Sequence, residues 1–349
     1  MIISMQKDLF KAIRVVIFSL IISGYILSPS PLSAQDIHFT MFNSSPLMLN
    51  PANTGNFDGD WRLAGNYRSQ WLAISKSFQT AAISFDKQIY FLNQKFSGGI
   101  YFVNDASASR GLIFNKVYAS IGYNRVVNNN YLNFGLQVGY VFQAFDHNMT
   151  TPSQWNNTTG SFDPSLPTLE PNEGENRTYP DINVGILWKK NINIFTPEVG
   201  FAFFHLNTPN WSFYNYNEHQ PVRYILHSRV KTKLNDEIYL LPTILYMRQK
   251  GATETIIGSG VGLNIFGNRS SVKEITGGIY MRNGFFNSPD AISLVGGATI
   301  RRIEVALSYD VNVSGLSQVT GYRGAFEISF IYKSISTVLN SYSIPCERL

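Results

Sequence analysis

The sequence predicts an all-β chain closed into a transmembrane antiparallel β-barrel of about fourteen strands, and three observations predict it. Apolar residues recur with a period of two over most of the chain. The stretches with this period reach the roughly 9–11 residues that a tilted spanning strand needs, against about 5–6 in soluble sheets. The connections between them sort into short and long by parity.

Residues 1–34 read as a signal peptide. Lys7, Lys11 and Arg14 supply a basic start, Val15 through Leu27 an apolar run, and Leu32-Ser33-Ala34 a small-residue site for cleavage between Ala34 and Gln35. The run falls short of the ~20 residues of a spanning helix, and Pro29 and Pro31 follow it. No cysteine follows to take a lipid. Residues 35–60 precede the first strand and are expected either in the periplasm or as a plug in the lumen. Within them Asn50-Pro51-Ala52 reads as a fixed turn, because Pro51 locks its own φ and biases Asn50 toward an extended backbone.

The barrel is expected over 61–333, with a periplasmic tail over 334–349. Candidate strands are 61–71, 78–88, 96–105, 113–126, 131–143, 180–189, 195–206, 221–233, 236–248, 253–266, 272–282, 290–300, 302–312 and 321–333. The fifth is the clearest: Leu132, Phe134, Leu136, Val138, Tyr140 and Phe142 share one face, and Asn133, Gly135, Gln137, Gly139 and Gln143 the other. Alternation alone fits two solutions. A soluble sandwich turns the apolar face inward, and a membrane barrel turns it outward to lipid. Loop parity favours the barrel. With the N-terminus in the periplasm, the even connections are mostly short, as at Asn128-Asn129-Asn130, Leu234-Asn235 and Arg301-Arg302. The odd ones include 144–179, 207–220 and 313–320. The segments 72–77 and 89–95 run against the trend.

The polar segment 144–179 is expected to be a functional or a mobile surface loop. Trp211, Phe213, Tyr214 and Tyr216 crowd 207–220, a pattern better suited to an interfacial aromatic girdle than to a binding platform.

Composition removes several function classes. Charged residues are 15% of the chain, below the roughly 25% of soluble domains. A single cysteine, Cys346, excludes a disulfide framework, and a net charge of +5 without basic runs gives no reason to expect nucleic acid as a partner. The five histidines form no metal motif; His205 and His227 lie on neighbouring strands and read as hydrogen-bonding residues. Gly258, Gly260 and Gly262 are not followed by a helix, so they read as a smooth strand face rather than a phosphate loop. No catalytic, metal or cofactor set emerges, and a non-enzymatic protein is expected.

Several blocks follow one another along the chain: Gln35-Asp36-Ile37-His38-Phe39-Thr40-Met41-Phe42, then Pro46 to Ala52, Tyr67-Arg68-Ser69-Gln70-Trp71, and Ser84-Phe85-Asp86. Asp181 to Gly185, His205 to Pro209, Ser308 to Leu316 and Glu327-Ile328-Ser329 continue the series. In this order and combination they resemble the PorP/SprF family, outer-membrane proteins of the type IX secretion and gliding machinery of the Bacteroidetes. The resemblance implies a barrel like the long-chain fatty-acid channels. It implies an accessory part in exporting or retaining a large surface protein such as an adhesin, with that cargo or periplasmic machinery as partner. His38, Asn50, Pro51, Ala52, Arg68, Gln70, Trp71, Asp86, His205, Tyr309, Asp310, Ser314 and Glu327 are its motif positions here, without an assigned role. The residues themselves suggest lumenal hydrogen bonding for Arg68 and interface anchoring for Trp71. Two alternatives are an outer-membrane channel for a hydrophobic solute and a secreted soluble β-sandwich that binds through the aromatic loop.

Overall fold

A computed structural model describes residues 36–71, 77–91, 94–107, 111–145, 150–169, 176–213, 217–267, 270–284, 289–315 and 317–337. The signal peptide, its cleavage residues Ala34 and Gln35, Tyr214, Tyr216 and Cys346 lie outside the described residues.

Fourteen strands form one closed antiparallel barrel. In chain order they are β1 (Trp61–Gln70), β2 (Phe78–Phe91), β3 (Gln94–Ala106), β4 (Leu112–Val127) and β5 (Asn130–Phe145). The small hairpin β6 (Trp155–Asn156) and β7 (Ser161–Phe162) stands apart in the following loop. The barrel resumes with β8 (Arg177–Lys190), β9 (Phe195–Phe204), β10 (Arg223–Lys233), β11 (Ile238–Gln249) and β12 (Ala252–Asn264). It ends with β13 (Val272–Asn283), β14 (Pro289–Ile300), β15 (Ile303–Asn312) and β16 (Arg323–Lys333). Each strand pairs with its neighbours in sequence, and β1 pairs with β16 from Arg62↔Lys333 to Gln70↔Ala325, so no edge remains. Lipid offers no partner to an unpaired peptide group, which is why a spanning sheet closes.

The faces decide between the two solutions that alternation allows. Leu136 is 43% exposed on the outside, whereas Gln137 is 0% exposed and donates from Nε2 to the Leu47 carbonyl at 2.8 Å. Phe134, Val138, Tyr140 and Phe142 follow Leu136; Asn133 and Gln143 follow Gln137. Ile121, Ile186, Ile244, Ile279, Leu294 and Phe330 extend the exposed apolar surface around the wall. A soluble sandwich would bury this set. The closed, inside-polar sheet overturns that alternative.

Parity of the connections largely holds. The strands β2 and β3 run further than the alternation suggests, so only 92–93 separates them and the expected long inner turn over 89–95 disappears. Asn128 and Asn129 both take left-handed φ, as a two-residue hairpin with the right twist requires. The turn at 250–251 is a short one on the long-loop side. In the long loop before β8, the hairpin stacks Trp155 edge-on to Phe162 at 5.0 Å. Trp211 corrects the girdle reading of 207–220, because its ring packs against a buried lumenal cluster.

Period two left no room for helix, yet three short helical turns, Phe42–Ser44, Pro46–Leu49 and Pro51–Asn53, shape the segment before β1. Each is too short to show a 3.6-residue period.

Candidate functional site

Residues 36–55 run along inward-facing side chains of the wall, while Asp58 and Asp60 emerge at the short-turn end, where Asp60 accepts from Thr337. Pro46 and Pro51 each open a helical turn, where their missing N–H costs nothing. Asn50 between these turns is extended (φ −159°, ψ 126°), as a residue before proline prefers, and its Oδ1 accepts from Ala52 N at 2.8 Å. Its Nδ2 donates to the Ile186 carbonyl at 3.1 Å and lies 3.1 Å from His227 Nε2. Asn50 and Ala52 are 0% exposed, and Pro51 is buried with them.

Four wall glycines make room for this turn. A Cβ on Gly135 would stand 2.1 Å from the Pro51 carbonyl carbon, and one on Gly185 would stand 1.9 Å from Asn50 Oδ1. One on Gly122 would meet the Thr54 carbonyl oxygen, and one on Gly200 the His227 ring. The small face read from sequence is therefore the seat of the Asn-Pro-Ala turn. Elsewhere the same device admits rings: a Cβ on Gly258 or Gly262 would strike Tyr280 or Tyr239.

Apolar plug residues fill two clusters. Leu47 packs with Tyr101, Val103, Tyr118, Val141 and Tyr179, and Phe42 and Leu49 pack with Ala202, Phe204, Ile225, Leu245, Met247 and Ile256.

Polar clasps hold the rest. At the short-turn end, Arg62 forks onto Asp86 (3.0 and 2.8 Å) and donates to the Asn53 carbonyl at 2.9 Å, while Gly55 N donates to Asp86 at 2.8 Å. Toward the long loops, Glu327 accepts from Thr40 N at 2.7 Å and Met41 N at 2.9 Å and is paired with Arg68. Arg68 and Arg282 share Asp310 at 3.2 and 2.9 Å, and Thr40 Oγ1 donates to Asp310 at 2.9 Å. Buried charges persist only with such partners, since one left alone costs several kcal/mol. Asp36 completes the series: Lys116 lies at 2.5 Å, His205 Nε2 at 3.1 Å and Arg223 at 3.5 Å. Burial alone would raise the Asp36 pKa; Lys116, Arg223 and His205 together outweigh it and hold the carboxyl well below its ordinary range. His205 Nδ1 faces Asp181 at 2.9 Å, which also accepts from Tyr118 OH at 2.5 Å.

The motif positions thus divide. Asn50, Pro51, Ala52, Arg68, Asp86, His205, Asp310 and Glu327 all build the plug and its seat. His38 joins from the plug, with Nε2 at 3.0 Å from Glu254. Gln70 accepts from Arg68 Nε at 3.3 Å. Three stand elsewhere. Tyr309 faces outward, Ser314 bonds Asn312 in a loop, and Trp71, half-buried, stacks edge-on against Phe78 at 5.3 Å. Sequence reading did not single out Arg62, Lys116, Arg223, Glu254 or Arg282. Their signal is a charge at an inward strand position, which demands a partner across the lumen.

The plug leaves a chamber of about 440 Å³ bounded by 40–44 and the inner faces of β8–β16. Its wall sets charged side chains among apolar ones. Lys189, Glu198, Arg229, Lys231, Glu274 and Glu304 line it, with Arg229 on Glu198 at 2.8 Å and Lys231 over the Tyr239 ring at 3.8 Å. No group of three or more His, Cys, Asp or Glu among the described residues is placed to hold a metal.

A family profile described as the type IX secretion system membrane protein PorP/SprF matches residues 32–332. No curated protein matches the sequence. The CymD monoaromatic hydrocarbon channel is similar in structure, with 11% identity, a TM-score of 0.50, and 84% of this chain and 94% of that one covered. The Ralstonia pickettii toluene transporter TbuX gives 9%, 0.48, 83% and 94%, and a Pseudomonas aeruginosa FadL homologue 11%, 0.42, 81% and 92%. At such identities the likeness is one of fold alone.

Proposed function

The chain belongs to the PorP/SprF family of type IX secretion system membrane proteins, integral to the outer membrane, and on that premise we propose that it works as a plugged, non-enzymatic barrel supporting export or surface retention of a large secreted protein. The filled lumen is the observation that carries this reading. Barrels of about 16–18 strands leave an aqueous channel, whereas this one has fourteen and holds its own chain along the axis. A polypeptide in transit needs another conduit. That leaves the long loops and the periplasmic rim as surfaces for cargo, such as a gliding adhesin, or for periplasmic machinery.

Deletion of the gene should abolish surface display of a large secreted protein while its synthesis continues. Normal display in the deletion strain would refute the reading.

The solute-channel alternative has the chamber and the fold of hydrocarbon channels in its favour. The charged side chains set among the chamber's apolar ones, such as Lys189, Glu198, Arg229 and Glu274, argue against it, since a hydrocarbon gains nothing from displacing water beside them. Unchanged uptake of hydrophobic nutrients in the deletion strain separates the two.

A further inference from the structure

The direction of the plug follows from which wall residues each of its residues meets. Trp61 opens β1 at the short-turn end, and Asn53 and Gly55 are held near that end by Arg62 and Asp86. Asn50 sits midway, against the middle of β8, β9 and β10. Thr40 meets Arg68, Arg282 and Asp310, each two or fewer residues from the long-loop end of its strand. Asp36 meets Arg223 and Gln249, the long-loop terminal residues of β10 and β11, and His205, just past the end of β9. The chain therefore climbs the lumen backwards, and its earliest described residue is the one nearest the long loops.

We propose that the N-terminal end of the processed chain is threaded outward through the barrel and presented at the mouth on the cell exterior, with Asp36 as its outermost anchor. The proposal rests on the outer-membrane reading above, which places long loops outside. The chemistry suits an anchor. One carboxylate is enclosed by a lysine, an arginine and a histidine contributed by three separate elements, and Arg223 also donates to the Ile37 carbonyl at 3.2 Å. Among the described residues, no comparable set of cations serves a plug carboxylate lower down, where the plug offers its carbonyl and N–H groups instead. Such a geometry fixes the end of the plug at the outer mouth rather than letting it hang toward the periplasm.

A short hydrophilic epitope inserted between Gln35 and Asp36 tests this in whole cells. The background carries Cys346→Ser together with Thr54→Cys and Ser120→Cys, whose native hydroxyl oxygens are 2.5 Å apart, so a disulfide marks molecules with a seated plug. Only that cross-linked fraction is scored. A second strain carries the same epitope between Thr158 and Thr159, in the β6–β7 turn, to mark the exterior. Antibody should bind both epitopes equally on intact cells. An N-terminal epitope reached only after permeabilisation, with the loop epitope bound on intact cells, overturns the proposal. So does an epitope that by itself abolishes cross-linking, because the outer mouth then does not admit the chain. A loop epitope hidden on intact cells instead refutes the orientation of the barrel, and the functional reading with it.

Discussion

The seat of the Asn-Pro-Ala turn can be destroyed with one methyl group. Gly185→Ala places a carbon 1.9 Å from Asn50 Oδ1 and 3.0 Å from Pro51 Cδ, where atoms normally keep about 3.5 Å. The wall cannot yield, because β8 is hydrogen-bonded to strands on both sides. The Asn50 carboxamide must therefore move by roughly 1.5 Å, and Pro51 by less, to regain ordinary contact. The Asn50 contacts to Ile186 and His227, both 3.1 Å, are then broken. Two such bonds contribute about 1–3 kcal/mol together, and overpacking costs about 1–3 kcal/mol. The seated plug should lose about 2–6 kcal/mol, raising the unseated population at least about thirtyfold. Gly98→Ala is the control, since its added carbon meets nothing within 4 Å. The assay is single-channel conductance of the purified barrel in planar bilayers, supported by chymotrypsin cleavage near Phe39, Phe42 and Phe57. Equal conductance and cleavage in Gly185→Ala and Gly98→Ala would refute the account of the glycine seat.

Other outcomes follow from the same geometry. Leu136→Arg should cost about 2–4 kcal/mol at the bilayer midplane, read as a lower midpoint in urea titrations with lipid vesicles. In a Cys346→Ser background, a cysteine at position 136 should react with a lipid-confined reagent, while one at position 137 should react with neither reagent class until the plug is displaced. Arg68→Ala leaves Glu327 buried without its cation, and Asp310 with Arg282 alone, and should cost about 3–5 kcal/mol, with Glu327→Gln restoring part of the loss in thermal unfolding. The depressed Asp36 pKa gives a sign as well. A carboxyl lower in the folded than in the unfolded state, about 3.9, stabilises fully above that value and loses its effect as pH falls below it. Conductance against pH should show plug release on acidification below about pH 4, and Asp36→Asn should flatten that limb.

Much of the fold was legible because a membrane barrel repeats one rule. Leu136 and Gln137 differ by one position and face opposite media, and that alternation marks strands with little help from neighbours. The plug was less legible. Its helical turns are too brief for periodicity, and its partners come from every quarter of the wall, as Asn50 with β8 to β10 and Thr40 with β15 and β16 show. Asn50-Pro51-Ala52 could be read as a turn, but not as one resting on Gly135 and Gly185, because nothing local joins residues so far apart. Trp211 misled for a related reason: an aromatic beside a strand end suits an interface equally well until the lumen beneath it is known to be full.

The pairing of β1 with β16 bears on biogenesis. Glu327, which grips Thr40 and Met41, belongs to β16, the strand that closes the sheet onto β1, and the stopper it grips precedes β1 in the chain. A copy truncated before its final strand would lack both the seam and the hasp, so it could neither seal its sheet nor keep its stopper in place. Completeness at one terminus is thereby checked by the other, before the molecule is fit to be used.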